Sequence, residues 1–348
     1  MVKHALLILI FFLAGTALGA WYLFFYKPTE KRYNKIMCYF ITRSVTASSG
    51  NFDEKIIALR DFVSENVISI AGYHNRLDTC AIEKLTSGIG WCDQQARVFM
   101  QLARSIGITS RLLFLKTKDG VSPHSVAEVL APDKRWVIVD TAYKIDLINK
   151  DGAFATQSDI EEDLSIIRDK KRVKLRSKAE PRLADPEYLS VYYNPPEYVI
   201  TKSGNEVDFL RFVPLWALRP AVRIINERYL EEQMKPGTED AYEFKMMKAR
   251  TLHLLGYSKR SGKLYDEVIS DSGNPPLVRK AEFYKAVLLK DEGKYEEARA
   301  YITGVLDKEK NTTYRVFLLG LRARVLEKLG RRREAEKDLE SIDYNLEA

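Results

Sequence analysis

The chain of 348 residues has only three cysteines and four histidines. Three thiols are too few for a disulfide scaffold, and no CxxC pair is present for a zinc or redox centre. The cysteines are Cys38, Cys80 and Cys92. In an oxidising compartment Cys38 and Cys80 can pair and leave Cys92 free; in a reducing one all three stay thiols. A zinc site built from His74, Cys80 and Cys92 lacks close ligand pairs. A dominant charge is also missing. The 55 basic residues are set against 48 acidic ones, interspersed, for a net +7. No basic stripe is interleaved with aromatics, which argues against nucleic acid as a partner. The 46% apolar and 30% charged content is that of a globular protein, long enough for two or three domains.

Long apolar runs are scarce too. One stands out, ALLILIFFLAGTALGAWYLFFY at residues 5–26, 22 residues without a charge. That length crosses a bilayer core of roughly 30 Å, and Trp21, Tyr22 and Tyr26 sit where an aromatic belt belongs. Ala17 and Gly19 are small enough for signal cleavage, but the apolar run continues past them. Residues 1–27 are therefore expected to form an uncleaved single-pass transmembrane helix. Lys3 precedes it, while Lys27, Lys31, Arg32 and Lys35 follow it. Counted literally, the positive-inside rule places the bulk of the chain in the cytoplasm. A four-residue head behaves more like a signal sequence, so the expectation is export to the periplasmic face of the inner membrane. Residues 207–234 are apolar as well, but Arg211, Arg219, Arg223 and two prolines exclude a second span. They read as an amphipathic segment, packed on the domain or lying at the membrane surface.

Residues 28–150 read as one domain. Its basic juxtamembrane stretch passes into the polar turn TASSGN. Asn51 or Asp53 can cap a helix to Val67, with Ile56, Leu59 and Val63 at helical spacing. The same spacing predicts a helix over 92–106, ended by Gly107. The strands RLLFLK, HSVAEVL and RWVIVDTA follow. Residues 151–238 read as a connector or flap that ends in the amphipathic segment.

Residues 239–346 hide a repeat. Gly256, Gly293 and Gly330 are 37 apart, as are Ala249, Ala286 and Ala323, and Leu252, Leu289 and Leu326. Val268, Val305 and Ile342 keep the same step. The unit reads as helix, Gly turn, helix, and the stretch DEGKYEEARAYI resembles a tetratricopeptide repeat, whose usual period is 34 residues. Three units are about the minimum for a stack. They form either a plain helical bundle or a concave surface for a protein partner.

GIGWC brings Cys92 to the mouth of the 92–106 helix. A helix N-terminus offers unpaired N–H groups and a positive dipole end, both of which stabilise a thiolate. The N–H of Cys92 is a natural oxyanion donor, and Gly88 and Gly90 allow a tight turn. A buried inert cysteine needs neither glycines nor a helix mouth. The nucleophile also needs a base and an orienting group. If Leu130 pairs with Lys134 around a three-residue turn, His124 stands opposite Asp140. A slip of one residue would send the two side chains to opposite faces.

GIGWCDQQARVFMQLARSIGITSRLLFL followed by HSVAEVLAPDKRWVIVDTAY resembles the transglutaminase-like superfamily. The shared features are Gly-Trp-Cys before an Ala-rich helix, a Gly-Ile-x-x-R step into a strand, and His and Asp on the next two strands. Cys92 and His124 are 32 apart, and His124 and Asp140 are 16 apart. Both separations are typical of small bacterial members, and the resemblance covers roughly residues 55–150. It implies an α+β papain-like core, with the cysteine helix packed on an antiparallel sheet, ahead of an all-α C-terminal domain. It also implies Cys92 as nucleophile, His124 as general base and acid, and Asp140 as orienting carboxylate, with no metal or other cofactor. Gln94 and Gln95 lie on the wrong side of the cysteine to donate to an oxyanion. Trp91 is expected to pack or to wall the substrate, and Glu128 to stand on the strand surface. The expected chemistry is acyl transfer from an amide of a polypeptide substrate, to water or to an amine. The rival reading is a catalytically silent, membrane-tethered scaffold whose repeats do the work.

Overall fold

The computed structural model describes residues 29–68, 80–115, 124–142, 144–163, 165–168, 174–175, 197–201, 213–233 and 241–341. Residues 5–26, and with them the expected anchor, lie outside these. Among the described residues no helix is long and apolar enough to cross a membrane.

Helix α1 (Glu30–Val45) starts at Thr29, whose hydroxyl accepts from the Arg32 N–H. The stretch read as a basic juxtamembrane run folds here as a helix of the core. Ile36 to Ile41 are six consecutive residues, and all are buried. A helix wrapped on every side shows no clean apolar stripe, so its sequence does not announce it. Helix α2 (Phe52–Asn66) is capped by Asn51, which accepts from Glu54 N–H at 2.8 Å. It buries the expected Ile56, Leu59 and Val63. Helix α3 (Ala81–Ser87) ends at Gly88 in the left-handed region. Helix α4 (Cys92–Ser105) buries Ala96, Phe99, Leu102 and Ala103, and Gly107 at φ 84° closes it. Each of its large apolar side chains contributes about 1.5–3 kcal/mol by burial.

Strands β1 (Ser110–Leu115), β2 (His124–Leu130) and β3 (Trp136–Val139) run antiparallel in sheet order β3-β2-β1, with residues 197–201 beyond β1. Leu112, Ala127, Val129, Val137 and Val139 join α1, α2 and α4 in one core. The β2–β3 register differs from expectation. Leu130 pairs with Trp136, not with Lys134, so the turn holds five residues, Ala131–Arg135. It closes by Ala131 N–H to the Arg135 carbonyl at 2.8 Å, with Lys134 at φ 70°. The shift is two residues, and because side chains alternate with period two it keeps His124 and Asp140 in phase.

Residues 150–168 are no connector. Strand β4 (Ile145–Asp146) leads to α5 (Gln157–Glu162) and α6 (Ser165–Arg168), which bury Ile160 and Ile166. Ile138 N–H donates to the Ala155 carbonyl at 3.0 Å, so this segment covers the free edge of β3. Strand β5 (Lys174–Leu175) pairs with β4, and β6 (Glu197–Thr201) forms the far edge of the sheet beside β1. Helix α7 (Leu215–Gln233) settles the amphipathic segment as part of the core. It buries Leu218, Val222, Ile225 and Leu230 and lies on α1. The Tyr229 ring stacks on Tyr33 at 3.9 Å, and the Tyr33 hydroxyl donates to Asn226 at 2.7 Å.

The C-terminal region is three helical hairpins: α8 (Ala241–Leu254) with α9 (Ser258–Asp271), α10 (Pro275–Asp291) with α11 (Tyr295–Leu306), and α12 (Thr312–Lys328) with α13 (Arg332–Glu340). The 37-residue step is realised as one turn used three times. Gly256, Gly293 and Gly330 have φ of 77°, 75° and 73°. In the same order, Tyr257, Lys294 and Arg331 N–H close back on the Leu252, Leu289 and Leu326 carbonyls at 2.9, 3.0 and 2.9 Å. Glycine takes that left-handed position without a Cβ penalty. Ala249, Ala286 and Ala323 are buried where helices approach closely. Ile342 lies outside the described residues.

Candidate active site

Cys92 is the first residue of α4, half-buried at the end of the loop 88–91. The loop is fixed from one side by the segment after α2. Ile68 N–H donates to the Gly88 carbonyl at 2.9 Å, and Gly90 N–H to the Ile68 carbonyl at 3.0 Å. A Cβ on Gly90 would lie 2.9 Å from a Val67 methyl, so only glycine passes there. Trp91 N–H donates to the Gln94 side chain at 3.0 Å, and the Gln95 amide donates to the Val67 carbonyl at 2.9 Å. Both glutamines therefore brace the helix mouth. Trp91 is 42% exposed, so it does not belong to the core.

The structure brings Cys92, His124 and Asp140 together. His124 Nε2 lies 2.8 Å from Asp140 Oδ2, and both residues are about 1% exposed. Asp140 Oδ1 accepts from Ala142 N–H at 3.0 Å, which sets the carboxylate plane. The Cys92 side chain is near enough to the His124 ring to favour its protonated form. With Nε2 engaged by Asp140, Nδ1 is the nitrogen left for the thiol. Burial pulls the His124 pKa down, but the charge of Asp140 and the bonds from Asp140 and Cys92 outweigh it and raise it to about 10. The ring is thus built to hold a proton.

Three neighbours stand apart from this chain of contacts. Glu128 is 1% exposed and pairs with Arg111 at 2.7 Å, which corrects its placement on the strand surface. The Arg111 guanidinium also lies 4.0 Å over the Trp136 ring, so the three tie the sheet together. Cys38 and Cys80 are free thiols, and burial pushes the Cys38 pKa up strongly. Cys80 caps α3, its sulfur accepting from Glu83 N–H at 3.4 Å. His74 lies outside the described residues. Among the described residues no group of three His, Cys, Asp or Glu side chains is arranged to hold a metal ion.

Residues 40–141 match the model of the Transglutaminase-like superfamily, so this stretch forms a transglutaminase-like domain. The match begins inside α1, earlier than the motifs alone suggested, and contains Cys92, His124 and Asp140. No curated protein matches the chain. A crystal structure from Cytophaga hutchinsonii, described as "a Putative Cysteine Protease", aligns at 22% identity over 37% of this chain and 44% of that one, with a TM-score of 0.29. The chain spans less than half the length of that structure, and a likeness at this score bears no weight for fold or activity.

Proposed function

We propose that the chain is a thiol enzyme of the cysteine protease or transglutaminase type that acts on amide bonds of a polypeptide through an acyl-enzyme. The observation that carries this reading is the continuous line Cys92–His124–Asp140 at a helix N-terminus. In the first half-reaction the Cys92 sulfur attacks the amide carbonyl carbon, and negative charge develops on the carbonyl oxygen. The first-turn N–H groups of α4, Cys92 N–H among them, are where such charge is stabilised. The C–N bond then breaks, and the His124 proton leaves with the amine. In the second half-reaction water or an acceptor amine attacks the thioester, returns a proton to His124 and frees the sulfur. Water gives hydrolysis and an amine gives cross-linking; the triad serves both. Asp140 holds the ring in orientation throughout.

Around this site we place an anchor at residues 1–27 and a tetratricopeptide-like array at 239–346 that presents a surface to substrate or partner. The catalytic unit extends beyond residues 28–150 to take in α5, α6, β6 and α7. Labelling with a biotinylated peptide vinyl sulfone tests the reading. Cys92 is expected to react while Cys38 and Cys80 do not, and His124→Ala is expected to abolish labelling in a folded protein. Equal, slow labelling of all three thiols, unchanged in His124→Ala, would favour the silent scaffold instead.

A further inference from the structure

The loop that delivers Cys92 is held from two sides. Val67 and Ile68 hold it from the core. The other side is the helical array. The Tyr284 hydroxyl, on α10, occupies the space that a Cβ on Gly88 would fill. Arg250, on α8, is fully buried, and its Nε donates to the Leu85 carbonyl at 3.1 Å, at the C-terminal end of α3. The same guanidinium donates to the Asn66 side chain at the end of α2 and lies 4.1 Å over the Tyr284 ring. One buried cation therefore joins the ends of α2 and α3, and one phenol rests on the loop itself.

The surroundings make this contact specific. Glu65, one residue before Asn66, pairs with Lys290 of α10 at 2.9 Å and with Lys144 of the core at 3.1 Å. Ile68, whose backbone brackets Gly88 and Gly90, packs its side chain into the hydrophobic cluster of the array. A guanidinium buried away from water is costly unless its donors are met; one acceptor here is His253 on α8 itself, and the other two, the Leu85 carbonyl and the Asn66 side chain, belong to the segments that frame the nucleophile. A helical array needing only to stay attached has no use for a charge buried at this point.

We propose that Arg250 and Tyr284 are positioning residues for Cys92, so that the helical array is part of the machinery that sets the thiol's geometry and not a separately tethered binding module. This rests on the thiol reading above. Neither residue touches the sulfur. They act by fixing the α3 terminus and Gly88, and through the three intervening residues the direction in which Cys92 enters α4. A displacement of about 1 Å at a reacting atom is enough to cost up to about a hundredfold in rate. Anything bound on the array that shifts α8 against α10 would be felt at Cys92 by the same path.

The test is the pH profile of Cys92 alkylation by iodoacetamide in the full-length chain, with the labelled cysteine located by peptide mass spectrometry. Wild type, His124→Ala, Tyr284→Phe, Arg250→Lys and Arg250→Met are compared, and each is checked by circular dichroism. Wild type is expected to show a low-pH reactive limb set by His124, and His124→Ala to lose that limb. Tyr284→Phe, which keeps the ring under Arg250 and removes only the hydroxyl on Gly88, is expected to slow the low-pH limb about three- to tenfold. Arg250→Met is expected to slow it about tenfold or more, and Arg250→Lys to recover part of the loss. If Arg250→Met fails to fold, Tyr284→Phe decides. Folded Tyr284→Phe and Arg250→Lys proteins with the wild-type profile would overturn the positioning role while leaving the thiol site intact. A wild-type profile that coincides with His124→Ala would instead overturn the thiol reading, and the positioning role with it.

Discussion

Among the described residues two buried histidines pair with aspartates, one in each region, and they are prepared for opposite ends. In the core, His124 lies 2.8 Å from Asp140; in the array, His253 lies 3.1 Å from Asp291. Both rings are buried. They differ in what faces the second nitrogen. His253 Nδ1 receives Arg250 at 3.2 Å, and an arginine can only donate, so that nitrogen carries no proton. Burial then lowers the His253 pKa, with Arg250 adding to it against the pull of Asp291. His124 faces a thiol, which has a proton to give. A His–Asp contact alone therefore says little about catalysis, and the third group decides whether the ring is a neutral link in a seam or an acid held ready.

The comparison can be broken most severely at that third group. Cys92→Ala is expected to lower amide turnover on the order of 10⁴-fold or more with an unchanged far-UV spectrum, whereas the corresponding change at Cys38 or Cys80 is not. Next come the two carboxylates. Asp140→Asn is expected to cut turnover by about 10²–10⁴-fold, and Asp291→Asn to leave it near wild type, in parallel steady-state assays.

The two regions also hold their charges differently. Arg60, 1% exposed, pairs with Asp146 behind the sheet and with Asp61 at 2.9 Å. Arg60→Met strands a buried carboxylate and is expected to cost about 3–5 kcal/mol in urea denaturation. Arg322, partly open to water, grips Asp338 at 2.7 and 2.8 Å in the last hairpin, and Arg322→Met is expected to cost about 1 kcal/mol.

The two rings also make stability depend on pH. The His253 pKa is lower folded than unfolded, so the unfolded chain binds the extra proton. Stability therefore rises with pH up to about 6.5, and His253→Gln should flatten that limb. The His124 pKa is higher folded than unfolded, raised to about 10. Its contribution is fully present below about 6.5 and is lost as pH climbs through 10, a limb His124→Gln should remove. Chemical denaturation at closely spaced pH values reads both.

Much of the site was legible because its parts are local. Asn51, Gly107 and the GIGWC turn mark helix ends by their own chemistry, and alternation along HSVAEVL and RWVIVD set which residues share a face. The turn length was misjudged, since nothing in APDKR says that Lys134 takes a left-handed conformation. The site survived that error because the slip was even. What escaped depends on distant partners. The middle of helix α1 is buried on every side and its basic first turn reads like a flank of the preceding run, the 150–168 segment earns its place only by covering β3, and β6 pairs with a strand more than eighty residues earlier. The 37-residue period was visible because each turn repeats one glycine and its hydrogen bonds. Its docking on Gly88 was not, because Arg250 and Tyr284 look in sequence like ordinary helix residues.

The claim at the centre is that His124 rests as an imidazolium between Asp140 and Cys92. Histidine-selective ring NMR on the full-length chain, titrated from pH 5 to 9 and assigned with His124→Gln and His253→Gln, measures it directly. The His124 signal is expected to stay in its protonated position across this range, and the His253 signal to stay neutral until the acid end. A His124 signal that titrates near 6.5, as an isolated imidazole does, would contradict the claim.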